Sequence, residues 1–182
     1  MKAIEFYIFN KELWYISEGE NKIVSENDTE LIGMMLQKIM QLYPEAYKAL
    51  SNEYKKSAFN VPYYQYLMVR RFCKCNFGSL DNTKADIDLK GNFNFECVAC
   101  PLRGECINEG VICKPKLNTK LSDSELRVMK LLYEGNTPIE TASMLYLSPE
   151  TIKSHYKSVY RKLGLGSLAE FIKYADKNHL FE

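Results

Sequence analysis

The stretch from Leu121 to Phe171, LSDSELRVMKLLYEGNTPIETASMLYLSPETIKSHYKSVYRKLGLGSLAEF, decides the fold of this chain. Ser122 stands three residues before Glu125, the spacing at which a hydroxyl and a carboxylate cap a helix start reciprocally. Leu126, Met129, Leu132 and Tyr133 then recur at helical spacing, and Gly135-Asn136 ends the run. Thr137-Pro138 and Ser148-Pro149 each set a capping hydroxyl before a proline suited to the first helical position. The first pair opens a short helix carrying Ala142 and Leu145, and the second opens a helix over about 149–163 that stops at Gly164. A last helix is expected from Ser167 to about Lys177. A short helix, a tight turn and a longer helix make a helix-turn-helix, with Ala142 small where the two must approach closely.

On the longer helix, Ile152, Val159 and Leu163 form an inward stripe, while Lys153, Ser154, Lys157, Arg161 and Lys162 face outward. Residues 151–165 hold four basic side chains and no acidic one. Such a face suits a DNA major groove, residues near the helix N-terminus reaching base edges and the others gripping phosphate. A charged helix face is also what a solvated bundle presents. Here caps, helix lengths and charge agree on one motif, which favours the DNA-binding reading.

The same stretch resembles, over its full length, the LuxR/GerE-type DNA-binding domain of bacterial transcription regulators. The resemblance is carried by Leu121, Glu125, Gly135, Glu140, Ala142, Leu145, Leu147, Ser148, Thr151, Ile152, Lys153, His155, Lys162, Leu163 and Gly164. It implies base or phosphate contacts from Lys153, Ser154 and Lys157, backbone contacts from Thr151, Arg161 or Lys162, and either a base-reading or a structural role for His155. It also implies double-stranded DNA as partner, a homodimer on DNA with Phe171 and Tyr174 of the last helix at the dimer surface, and RNA polymerase as a further candidate partner. Three positions depart from the family pattern. Thr141 stands where an apolar residue is usual, Ser158 where Asn is common and Leu168 where Arg is common.

Outward from this module, Lys114 to Lys120 is a polar, proline-bearing joint. It divides the chain into an N-terminal domain, 1–118, and the helix-turn-helix domain, 119–182. The fold class expected is α+β in the first part, with a cysteine-rich metal-binding segment, and all-α with four helices in the second. Aromatic and β-branched residues on both sides of Asn10-Lys11 predict two strands and a tight turn. Helices are expected from about Asn27 to Leu42, Pro44 to Lys56 and Pro62 to Arg71. The stretch Phe77 to Asn94, with Gly78, Asp81, Asn82 and Gly91, reads as loop with a short strand at Asp86 to Leu89. A response regulator's receiver domain would need an acidic pair after its first strand and alternating strands and helices, and neither is present.

All six cysteines, Cys73, Cys75, Cys97, Cys100, Cys106 and Cys113, fall in this first part, and neither His155 nor His179 lies among them. The N-terminus lacks the apolar run of a signal peptide, so the expectation is a cytoplasmic protein whose clustered thiols bind metal rather than pair as disulfides. No run is long enough to span a membrane. Cys97-x2-Cys100 lets two thiolates face one ion, and Gly104 and Gly110 let short loops fold back to complete four-coordination. Structural zinc would take Cys97, Cys100, Cys106 and Cys113. A [4Fe-4S] cluster would equally satisfy four thiols. The string CVACPLRGEC is similar to the cluster-binding segment of WhiB-like iron–sulfur regulators, which implies Cys73 or Cys75 with Cys97, Cys100 and Cys106. Net charge, +1 from 24 basic and 23 acidic residues, is a weak guide to partners, because the bases gather on one helix. The function expected is a non-enzymatic transcriptional regulator. The alternatives are an adaptor docking on the transcription machinery and a thiol-redox protein using Cys73 with Cys75 or Cys97 with Cys100.

Overall fold

The computed structural model describes residues 2–78, 80, 84–89, 91–178 and 180–181. Asp81, Asn82 and His179 lie outside the described residues. The chain divides into two compact units, Met1–Lys116 and Leu117–Glu182.

The N-terminal unit opens on an antiparallel meander of β1 (Glu5–Phe9), β2 (Glu12–Ser17) and β3 (Glu20–Ile23), paired in that order. Asn10 and Lys11 take the two positive-φ positions of the β1–β2 turn, 49° and 69°, which suits the right-handed twist of a two-residue hairpin. The third strand was not expected, because ENKI carries no alternating apolar face and all four residues are exposed. Its signal is Glu18-Gly19, both at positive φ, a second turn of the same kind. The expected strand at Asp86–Leu89 is reduced to single bridges from Ile87 to Ile4 and Phe93. Side chains take the ladder's place there: Asp86 accepts from the Phe6 amide at 2.6 Å, and Asp88 accepts from the Asn92 amide at 2.8 Å.

Three helices cover the meander's unit: α1 (Thr29–Leu42), α2 (Pro44–Glu53) and α3 (Val61–Asn76). Asp28 occupies the cap position of α1, but its carboxylate turns back to the Ser25 amide at 2.6 Å. The second helix stops short of Lys56, in a separate turn at Lys55–Ser57. The third extends past Arg71 to Asn76 and so carries Cys73 and Cys75. The core is aromatic. Phe6 stacks on Phe77 with centroids 5.5 Å apart, and Phe72, Phe93, Phe95 and Tyr43 close around them. Residues 94–122 contain neither helix nor strand.

The C-terminal unit is four helices, α4 (Asp123–Tyr133), α5 (Pro138–Leu145), α6 (Pro149–Leu163) and α7 (Leu168–Lys177). Its core joins Val128, Met129 and Leu132 of α4, Ala142 of α5, Ile152 and Val159 of α6, and Phe171 and Ala175 of α7. Among the described residues no helix is long and apolar enough to cross a membrane.

Candidate DNA-binding face and thiol cluster

Each of α4 to α7 starts on a hydroxyl whose oxygen accepts the amide of the third helical residue: Ser122 from Glu125, Thr137 from Glu140, Ser148 from Thr151 and Ser167 from Glu170. In α4 and α5 the glutamate also accepts the cap residue's amide, which completes the reciprocal pair. The turn between α5 and α6 is set by Tyr146, left-handed at φ 54°, and by the Leu147 amide donating to the Ala142 carbonyl at 2.9 Å. This short turn fixes where α6 begins.

With Ile152 and Val159 buried, the helical period leaves Lys153, Ser154, Lys157 and Arg161 exposed. Thr151 is half-buried and its hydroxyl meets that of Ser148 at 2.9 Å, so it serves the cap. His155 is half-buried. Lys162 differs from the other bases: its ammonium pairs with Glu125 at 2.7 Å, where Glu125 is almost wholly buried. Burial alone would push the Glu125 carboxyl up, but Lys162, the Ser122 amide and hydroxyl, and the Ser158 hydroxyl outweigh it and hold it at about 2. Lys162 and Ser158 therefore fasten α6 to α4, and Ser158 has a role that sequence reasoning did not assign. Thr141 is fully buried with its hydroxyl lacking a hydrogen-bond partner.

The surface expected on α7 needs correction at one residue. Phe171 is fully buried in the unit's own core, against Tyr174 and Phe181, and is not available to a second copy. Tyr174 is half-buried, and burial raises its phenol above the ordinary value.

The cysteines separate into three settings. Cys73 is buried in the aromatic core, which pushes its thiol well up, with Asp86 and Cys75 adding to the effect. Cys97 is exposed. Cys75, Cys100, Cys106 and Cys113 are half-buried. Burial, opposed by the Arg71 guanidinium and reinforced by the nearby Cys113, Cys100 and Cys106, lifts the Cys75 thiol to about 11. The Arg71 guanidinium also donates to the Cys106 sulfur at 3.6 Å, and the Gly110 amide donates to the Cys113 sulfur at 3.4 Å. Among the described residues, no three cysteine sulfurs lie within 4.8 Å of one another. The group that does converge so closely is acidic: Glu5, Asp86 and Glu96.

Compared with known proteins, residues 119–175 match the family described as "Bacterial regulatory proteins, luxR family". The Fimbriae Z protein of Escherichia coli (strain K12) is 40% identical over 57 residues, 31% of this chain and 27% of that protein. The Oxygen regulatory protein NreC of Staphylococcus aureus (strain JH9) is 37% identical over 62 residues, 34% of this chain and 29% of that protein. This chain thus spans under a third of the length of these curated relatives. No solved structure matches the chain significantly.

Proposed function

Residues 119–175 form a LuxR-family helix-turn-helix domain, and we propose that through it the chain binds double-stranded DNA and regulates transcription. The observation that carries this reading is the exposed face of α6, where Lys153, Lys157 and Arg161 follow at helical spacing behind Glu150, the one acid of that helix, and the α5–α6 turn fixes where the helix begins. Helix α6 enters the major groove, Lys153 and Ser154 near its start reach base edges, and Lys157 and Arg161 hold phosphate. His155 and Thr151 lie at the edge of that face. Lys162, bonded to Glu125, sets the angle of α6 and touches DNA only from its exposed side.

On an operator the chain acts as a homodimer, with half-sites one helical turn apart, about 34–36 Å. The α7 surface available for this is formed around Tyr174 rather than Phe171. The role is regulatory rather than enzymatic, as the names of the family and of NreC suggest for the matched domain, with RNA polymerase a further partner. Selection by the full chain from a random duplex pool tests the reading. Recovery of a two-fold symmetric sequence supports it; no enrichment, with specific capture of a transcription protein, supports the adaptor alternative instead.

We infer further that the cysteine segment holds a thiolate-bound metal centre. Four half-buried thiols near one another, with Cys75 and Cys106 beside the Arg71 guanidinium, fit such a centre, since thiolates grouped together need a cation to offset their charge. Tetrahedral zinc, with bonds of about 2.3 Å, would set its sulfurs less than about 4 Å apart. An iron–sulfur cluster would be held equally by four thiolates. Such a cluster supplies a redox-sensitive group, and Cys113 precedes the joint between the units by a few residues, which suits a sensory input to the DNA-binding unit. The oxygen in the name of one relative does not bear on this, because that match covers only a third of the chain.

A further inference from the structure

Five bonded contacts bring thiols to the C-terminal end of α3. Arg71 and Cys75 lie one turn apart on the same side of that helix, whereas Cys73, two residues before Cys75, points to the opposite side and into the core. Asn76, which follows Cys75 and is 1% exposed, donates to the Ile112 carbonyl at 2.8 Å and accepts from the Lys114 amide at 2.9 Å. The backbone is therefore pinned on both sides of Cys113, beside the end of α3. Arg71 is held against Glu53 at 3.7 Å and reaches the Cys106 sulfur. Glu53 also accepts from Asn108 at 2.9 Å, so the loop after Cys106 is fastened to the same place. Cys100 is joined to Cys106 by two tight turns: the Arg103 amide donates to the Cys100 carbonyl, and the Cys106 amide to the Leu102 carbonyl at 2.9 Å. Cys97 precedes these turns and is exposed.

Resting on the metal-centre reading above, we propose that the four ligands are Cys75, Cys100, Cys106 and Cys113, with Cys73 and Cys97 outside the set. This is neither the quartet that the spacing suggests for zinc nor the one that the resemblance implies for an iron–sulfur cluster. It replaces Cys97 by Cys75 in the zinc set and by Cys113 in the iron–sulfur set. The shared chemistry is four thiolates around one inorganic core, and the partial neutralisation of that core's negative charge falls to Arg71, whose bond to the Cys106 sulfur also fixes that ligand's orientation.

The test is iron, sulfide and zinc analysis, with an absorption spectrum, on the full chain purified without oxygen, for wild type and six single cysteine variants. Wild type should carry one centre per chain. Cys75→Ser, Cys100→Ser, Cys106→Ser and Cys113→Ser should each lower the bound metal at least tenfold, while Cys97→Ser and Cys73→Ala should leave it unchanged. Because ligand variants can fail to fold, alkylation of the metal-loaded wild type gives a second measure: Cys97 should react at once, and the four ligands only after a chelator strips the metal. A centre that survives Cys113→Ser or Cys75→Ser, or is lost with Cys97→Ser, overturns the quartet while leaving a metal centre standing. Zinc, or iron with sulfide, together with the expected variant pattern upholds the quartet and identifies the core. Wild type without any metal overturns both the quartet and the reading beneath it.

Discussion

The two units hold their helices by different means. In the C-terminal unit α4 to α7 all begin on side-chain caps, and two of those caps are reciprocal. In the N-terminal unit α1 and α2 begin without a side-chain cap bond, and order comes from rings contributed by distant stretches: Phe6, Tyr43, Phe72, Phe77, Phe93 and Phe95. Local bonds specify one unit almost residue by residue; long-range burial specifies the other. The segment holding Cys97 to Cys113 goes further, having only turns of its own, and depends on Asn76, Arg71 and Glu53 to anchor it. A segment so poor in regular structure is where a metal cross-link adds most to order.

The contrast breaks most visibly at Phe72, which is fully buried at the centre of the aromatic cluster. Phe72→Ala should cost about 3–5 kcal/mol. The chain's one tryptophan, Trp14, lies on β2, so its fluorescence follows the N-terminal unit alone during urea unfolding. That transition should collapse while the helices of the C-terminal unit persist by circular dichroism. Simultaneous loss of both signals would mean that the units unfold as one.

A smaller effect belongs to Glu125. Its folded value of about 2 lies below the ordinary 4.5, so the stabilisation it gives is complete above that ordinary value and is lost as pH falls from there toward 2. Glu125→Gln should cost about 1–2 kcal/mol at neutral pH, through loss of a cap and an ion pair. It should also flatten the acid limb of helix unfolding between those two pH values. An acid limb identical to wild type would remove Glu125 from the account.

Thr141 gives an effect of the opposite sign. Its buried hydroxyl lacks a partner, so Thr141→Val, of nearly the same shape, should stabilise the C-terminal unit by about 1 kcal/mol. A fall in melting temperature would show that the hydroxyl is satisfied in solution.

How much could be read beforehand follows the same division. Ser122, Thr137-Pro138, Ser148-Pro149 and Ser167 mark the starts of the four C-terminal helices nearly to the residue, because each signal acts within one turn. The Asn10-Lys11 hairpin was legible for the same reason. The third strand was not, since Glu20–Ile23 has no apolar face, and Asp86 was not recognised as a substitute for a ladder partner. Of the proposed DNA-facing residues, Lys153, Ser154, Lys157 and Arg161 follow from the helical period. The engagement of Lys162 with Glu125 does not, because it joins residues far apart in the chain. Phe171 was misplaced because an aromatic on an amphipathic helix looks the same whether it meets its own core or a second copy. The thiols show the limit most clearly: the sequence leaves Cys73 and Cys75 as equal candidates, and only the fold separates them, Cys73 buried and Cys75 half-buried beside Arg71.

The central claim is that the exposed bases of α6 grip DNA phosphate, and the most direct measure is the salt dependence of duplex affinity. Anisotropy titrations of the selected duplex over a range of salt should show log affinity falling linearly with log salt. In Lys157→Ala affinity should drop and the slope should become shallower by about 0.9, the loss of one phosphate contact. An affinity and a slope both unchanged from wild type would contradict the account.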